Sequence, residues 1–480
     1  MPHDTRFRYE ALAELIAALV RDGTLAPGAR APSLRDVARQ QRTSLTTALQ
    51  AYRLLEDRGI LQARPQSGFY IAQASALPAP APTRPRPQPT EVALSGLMLA
   101  MLEHASNPRY VPLGCAIPSP ALLDSGKLDR MLARAARLKG AAHNTYSPPR
   151  GEAALRVEIA RRALRWGQAL APDDIVITCG ATEALALALS AVTQPGDTVA
   201  VESPTYFGAL QVLRALRLKA LELPTDAHSG IAPAALDAAL RAQPIAACVL
   251  ASCFNNPLGC TMPESNKRAV LALLAQHRVP LIEDDVYGDI HFGAERPRPF
   301  SALDDDGQTI YCGSFSKTLA PGYRIGWVAS RRHLPRLLEA KFAATLAAPV
   351  LPQLALAEFL ASGGYDHHLR RLRRLFADTL RRMAEGVAEA FPAGTRISQP
   401  AGGFVLWLEL PKAVDTRVLF AQALEEGICF APGVVFSAAG KYTHCLRLSG
   451  GHGWDARLQQ GLRRLGALAG AYAASRRTAQ

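Results

Sequence analysis

"GSFSKTLAPGYRIGW", residues Gly313–Trp327, sets Lys317 directly after two serines, Ser314 and Ser316, and follows it seven residues later with Arg324. The apolar runs at its two ends, "TIYCGS" and "RIGWVAS", have the composition of strands, so Lys317 falls in the loop between them. A lysine among apolar and hydroxyl residues gives up its proton readily and can form a Schiff base with an aldehyde. Hydroxyls and a second cation close by suit a phosphate. The stretch therefore points to a covalently held, phosphorylated cofactor.

Working outward, "DIVITCG" leads into the helical "ATEALALALSAV", and "TVAVES" precedes "YFGALQVLRAL". "IAACVLAS" and "VPLIEDD" are further apolar runs of strand length. Continuous apolar strands separated by helices predict a parallel sheet covered on both faces, with ligands at the strands' carboxyl ends. Gly180, Asp284 and Ser314 fall at such ends. Pyridoxal phosphate (PLP) would find every group it needs there. Ser314, Arg324 and the strand-to-helix turn Gly180-Ala181-Thr182 suit its phosphate. Asp284 can keep its ring nitrogen protonated, which makes the ring an electron sink. Tyr287 and Asn256 can hydrogen-bond the phenolic oxygen, and Tyr206 can stack on the ring. Singly, each has an ordinary explanation: Asp284 or Asp285 as a solvated turn carboxylate, Asn256 before Pro257 as a turn residue, Tyr206 as packing.

Together, in this order, the pieces resemble the fold-type I PLP enzymes, the aspartate aminotransferase superfamily. The matching motifs are Y-S-P-P-R-G at Tyr146, G-A-T-E-A at Gly180, N-P-L-G at Asn256 and D-D-V-Y at Asp284. S-F-S-K at Ser314, R-I-G at Arg324 and C-L-R-L-S at Arg447 complete the set, over roughly residues 93–470. The resemblance implies an α/β domain with a smaller α+β subdomain. It implies catalytic roles for Lys317, which would hold the cofactor, Asp284, which would pair with its ring nitrogen, and Tyr287, which with Asn256 would face the phenolate. Ala181, Thr182, Ser314 and Arg324 would contact phosphate. Tyr146 would reach the phosphate of a neighbouring subunit, which implies a homodimer. Arg447 would clamp an amino acid's α-carboxylate, a bidentate task suited to guanidinium.

The front of the chain has a different pattern. "YEALAELIAALVRDG" has helical periodicity and ends at Gly23; Ser33 can cap "LRDVARQQ". Thr43 or Ser44 can cap an amphipathic helix that Gly59 stops, and "ILQAR" and "GFYIA" pair as a hairpin. Three helices and a hairpin make a winged helix-turn-helix. "PSLRDVA" and "RPQSGFYI" resemble the GntR regulators over residues 8–72. The resemblance makes "SLTTALQAY" the recognition helix in the major groove of double-stranded DNA, with Arg35, Ser44, Thr46 and Thr47 as contacts. Arg64, Gln66, Ser67 and Gly68 would meet the DNA backbone or minor groove. Leu45 departs from the arginine that many relatives carry there, which points to a different base preference.

Between the two, residues 74–90, "ASALPAPAPTRPRPQPT", favour extended polyproline structure and read as a semi-rigid spacer. The organisation expected is a reader at 1–72, a linker at 73–92 and an aminotransferase-like domain at 93–480. That combination resembles the MocR subfamily of GntR regulators. It implies a transcriptional regulator that senses PLP, or an amine or amino acid that exchanges onto it; the alternative is an active aminotransferase with an accessory DNA-binding domain.

Composition agrees with a polyanionic partner only weakly. The formal net charge is +13, yet residues 1–72 hold ten arginines against seven acids. The DNA assignment therefore rests on the motif rather than on charge. "HHLRRLRRLF" around Arg370 is a second basic cluster, either the solvated face of a long helix or a DNA contact. The eight cysteines include no C-x-x-C pair, and Cys248, Cys253 and Cys260 lack a histidine at ligand spacing, so no metal site is expected. Free thiols, a charged N-terminus and no membrane-length apolar run suggest a cytoplasmic protein.

Overall fold

A computed structural model describes residues 8–478 apart from 23, 27, 58–59, 65–66, 72–76, 94–95, 106, 124 and 140–143. The chain forms two compact units, the first of residues 1–76 with 292–294 and the second of 77–291 with 295–480. Gly23 and Gly59, the expected helix stops, lie outside the described residues.

In the first unit, helices α1 (Arg8–Arg21), α2 (Leu34–Gln40) and α3 (Leu45–Asp57) precede the hairpin of β1 (Leu61–Arg64) and β2 (Gly68–Ile71). Ser33 caps α2, its Oγ accepting the Asp36 amide at 3.2 Å. At α3 the choice falls on Ser44, whose Oγ accepts from the Thr47 amide at 3.0 Å. Leu12 and Ile16 of α1, Val37 of α2, and Ala48, Tyr52 and Leu55 of α3 share one core with Leu61 and Ile71 of the hairpin. Tyr52 is fixed at both ends. Its hydroxyl donates to Pro32 O at 2.7 Å and its ring meets the edge of Phe69 at 5.1 Å.

The second unit is built on one large sheet. Its strands run in the order Thr90–Glu91, Lys219–Asp226, Thr198–Ser203, Ala247–Leu250, Leu281–Asp284, Thr309–Ser314, Gly326–Ala329, Ile175–Thr178. The pairs from Lys219–Asp226 through Thr309–Ser314 are parallel. Side chains alternate between two cores: Val176, Ile310 and Cys312 face one, Ile175, Ile177 and Tyr311 the other. Both faces are thus covered, as the continuous apolar runs require. Of the strands read from the apolar runs, one departs from the all-parallel expectation, and the short edge strand Thr90–Glu91 is antiparallel too. Gly326–Ala329 runs antiparallel to both its neighbours. The connection through residues 315–325 contains only a short 3-10 turn, and a parallel return needs a crossover helix.

A smaller antiparallel sheet of Arg396–Ile397, Val405–Glu409, Cys445–Ser449 and Ala431–Pro432 follows, flanked by helices that include Gly364–Ala390 and Ala456–Thr478. This is the expected α+β subdomain. The proline-rich segment from Leu77 is hydrogen-bonded along its length to the second unit. Pro78 O accepts from the Ile397 amide at 2.9 Å, and the Ala81 amide donates to Glu409 at 3.0 Å. Thr83 Oγ1 donates to Ser203 O at 2.7 Å and accepts from the Thr225 amide at 2.8 Å. Thr90–Glu91 then joins the large sheet as an edge strand. Proline lacks an amide donor, but the residues between the prolines supply enough polar groups to bind this segment to the unit.

Candidate functional site

The carboxyl ends of the parallel strands open into a cavity of about 240 Å³. Ala181, Thr182, Tyr206, Asn256, Asp284, Tyr287, Ser314, Lys317 and Arg324 all line it. Of the residues expected around the cofactor, Tyr146 alone stands apart, 84% exposed on the surface.

At one end of the cavity, strand Ile175–Thr178 turns through Gly180 into helix Ala181–Val192. Gly180 has φ +90° and no side-chain cap, and a Cβ there would collide with the Arg324 guanidinium. The first amides of the helix are therefore left to an outside acceptor, at the positive end of its dipole. Arg324 donates to Cys179 O at 3.2 Å and to Ser316 Oγ at 3.4 Å. Ser314 Oγ donates to Ser316 Oγ at 2.9 Å. Amides, hydroxyls and one guanidinium converge as a dianion requires.

At the other end, Asp284 closes strand Leu281–Asp284, and strand alternation separates it from Asp285. Asp285 turns away into a buried cluster with Arg296 and Tyr311, accepting from the Tyr311 hydroxyl at 3.0 Å. Asp284 lines the cavity, and its Oδ1 has no hydrogen-bond partner among the described residues; nor has the buried Tyr287 hydroxyl. Burial, then the Asp285 charge, pushes the Asp284 carboxyl up to about 7. Burial, followed by nearby Arg447, pulls the Lys317 amine down to about 8, with Cys115 and Asp284 opposing. Its Nζ donates to Ala116 O at 2.6 Å. Burial also raises the Tyr206 hydroxyl to about 12, and Gly208 leaves the space its ring occupies.

Arg447 stands in the wall behind Asn256, 1% exposed. It donates to Asn256 Oδ1 at 3.1 Å and to Gly114 O. The residue least evident from spacing is thus joined to one of the most evident. These residues fit PLP: two orphaned buried oxygens, a weakened lysine and a dianion cradle face one cavity.

Ser316, which stands beside Lys317 in the opening stretch with no role of its own assigned, bridges Ser314 and Arg324. Two further neighbours, Glu183 and Glu202, have no role in the sequence reading. Glu183 accepts from the Cys179 amide and from Lys341 at 3.1 Å, holding the turn before Gly180 in place. Glu202 accepts from the Ala251 amide at 3.1 Å and Asn255 Nδ2 at 2.9 Å, and burial raises its carboxyl to about 8. Glu183 stood within a quoted motif, but Lys341 lies too far along the chain for any local signal.

In the first unit, Arg35, Ser44 and Thr46 are exposed. Ser44 and Thr47 are occupied with each other, their hydroxyl oxygens 2.8 Å apart, so the two serve first as a helix cap. Ser67 Oγ lies 2.7 Å from the Tyr70 hydroxyl, beside Gly68 at φ +95°. Gln66 and the Arg64 side chain lie outside the described residues. In the basic cluster, His368, Leu369, Leu372 and Phe376 are buried, while His367, Arg370, Arg371 and Arg374 line an open surface hollow. No helix among the described residues is long and apolar enough to cross a membrane.

The family profile "Aminotransferase class I and II" matches residues 121–465, and "Bacterial regulatory proteins, gntR family" matches residues 8–71. The uncharacterized HTH-type transcriptional regulator YdcR of Escherichia coli is 41% identical over 461 residues, 96% of this chain and 98% of that one. The 2-aminoadipate transaminase of Thermus thermophilus is 32% identical over 76% of this chain and 91% of its own. The crystal structure of LysN, the α-aminoadipate aminotransferase of Thermus thermophilus, complexed with N-(5'-phosphopyridoxyl)-L-leucine, matches with a TM-score of 0.74 at 30% identity. It covers 80% of this chain and 97% of that one. The chain belongs to the class I and II aminotransferase family, carries a gntR-family domain in front, and has PLP as its cofactor.

Proposed function

We propose that this aminotransferase-family chain with a gntR-family front is a cytoplasmic, PLP-binding transcriptional regulator whose second unit senses PLP itself or an amino compound. One observation carries the proposal. A cavity with every group PLP requires shares a chain with a winged helix-turn-helix, and transamination has no use for a DNA reader.

PLP supplies an aldehyde that a primary amine can attack and a ring that withdraws electrons. The chain's residues supply position and charge. Lys317, its amine weakened to about 8, keeps a neutral fraction near neutral pH and is the group to bond the cofactor. Asp284 would pair with the ring nitrogen; a cation there would draw its carboxyl back down from about 7 and keep it ionised. Asn256 and Tyr287 would hydrogen-bond the cofactor's phenolic oxygen, and Tyr206 would pack on its ring. Ala181, Thr182, Ser314 and Arg324 hold the phosphate, with Ser316 ordering the last two. Arg447 offers an amino acid's carboxylate its guanidinium, oriented by Asn256. Exposed Tyr146 fits a reach across to a second subunit's phosphate, and hence a homodimer.

Regulation then follows from competition for Lys317. An amine that displaces it changes what holds the cavity walls together, and any difference in ligand affinity between two arrangements shifts their populations. The test is binding of the full-length protein to a selected duplex, measured with and without PLP and with amino acids. A ligand-dependent change in affinity is expected. DNA binding indifferent to every ligand, together with rapid multiple turnover of an amino acid, would favour the enzyme, for which Lys317, Asp284 and Arg447 are all in place.

A further inference from the structure

We infer that Leu45, exposed on the first turn of α3, reads the C5-methyl group of a thymine in the major groove and so selects A·T at one position of each half-site. The inference rests on the DNA-binding function proposed above and deepens it.

The helix α3 buries Ala48, Ala51, Tyr52 and Leu55, at the spacing of one helical face. By periodicity Leu45, three residues before Ala48 and seven before Tyr52, extends the same stripe. The structure does not put it there. Leu45 is 53% exposed and belongs to no core cluster, so the buried face begins at Ala48. Single exposed leucines are common on protein surfaces and by themselves mean little. This one stands on the turn where recognition helices meet base edges.

Its neighbours narrow what that turn can read. Ser44 Oγ accepts from the Thr47 amide at 3.0 Å, and its hydroxyl lies 2.8 Å from that of Thr47. Both hydroxyls are turned to the helix end. Leu45 and Thr46 are left exposed at the start of the helix, and Leu45 carries no donor or acceptor. Of the base edges in the major groove, only thymine presents an apolar group. A guanine oxygen or a cytosine amine set against Leu45 would lose water and gain no partner. The leucine therefore favours one base and penalises the others, which is how specificity is made.

The experiment starts from duplexes enriched out of a random-sequence library by the full-length protein. Each thymine in the enriched half-site is replaced in turn by uracil, which differs only in lacking the methyl group. At one position, binding should weaken by about three- to five-fold, the worth of one buried methyl contact. In Leu45→Ala, which removes no core side chain, the thymine and uracil duplexes should bind alike at that position. An enriched site where no thymine-to-uracil change matters would overturn the inference and leave DNA binding intact. So would a methyl effect that persists in Leu45→Ala, since Thr46 would then carry it. Failure to enrich any sequence would overturn the inference and the regulator reading together.

Discussion

Lys317 and Asp284 face one cavity with their proton affinities pushed towards each other from opposite sides, the amine down to about 8 and the carboxyl up to about 7. Burial is the main cause of both, since it penalises each charged form. In the cofactor-free protein Asp284 should leave a signature in stability. Its folded value lies above its unfolded value of 3.8, so the folded state holds this proton more tightly. Its contribution is complete below about pH 4 and is lost as pH rises through about 7. Urea denaturation of wild type and Asp284→Asn across this range should show wild type losing stability relative to the variant; parallel curves would mean Asp284 is not buried as described. Lys317 has a more direct test. Borohydride should fix PLP covalently to wild type, and Lys317→Ala should yield no adduct by mass spectrometry.

At the scale of elements, much was legible and the reasons are local. Gly180, Asp284 and Ser314 fall at strand ends because each closes a continuous apolar run, and such runs report buried strands. The turn at Gly180 is open to test: Gly180→Ala forces a side chain onto φ +90° and against Arg324. Affinity for PLP should fall by about five-fold or more, on the order of 1–3 kcal/mol of strain, while pyridoxal, which has no phosphate, should lose less. Two features were not legible. The reversal of Gly326–Ala329 depends on what a connecting loop fails to contain, and the seating of residues 77–91 depends on acceptors far along the chain, such as Ser203 and Glu409. Composition says nothing of such partners. Thr83 is the centre of that seating, so Thr83→Val should raise amide hydrogen exchange in residues 77–91 by roughly tenfold, the loss of about 1–2 kcal/mol. Unchanged exchange would show that the remaining contacts suffice.

Across the whole molecule, the open question is which ligand the second unit reports to the first, and Arg447 separates the possibilities. It is buried and bonded to Asn256 and Gly114 yet does not line the cofactor cavity itself. Arg447→Lys keeps a charge in place and discards the planar fork that grips a carboxylate. If the effector is an amino acid, this variant should retain PLP and bind the selected duplex as wild type does. Its response to the amino acid should weaken by about 2–4 kcal/mol, the cost of one charge-assisted bidentate contact. If PLP alone is the effector, the variant should respond to PLP as wild type does, because the phosphate and ring contacts are untouched. Thermal unfolding with and without PLP guards the comparison, since a variant that no longer gains stability from PLP has lost more than its clamp. Following single-turnover amino transfer in the same two proteins completes the test. A regulator should lose ligand response with Arg447 whether or not it turns over, whereas an enzyme should lose turnover and show DNA binding that never depended on ligand.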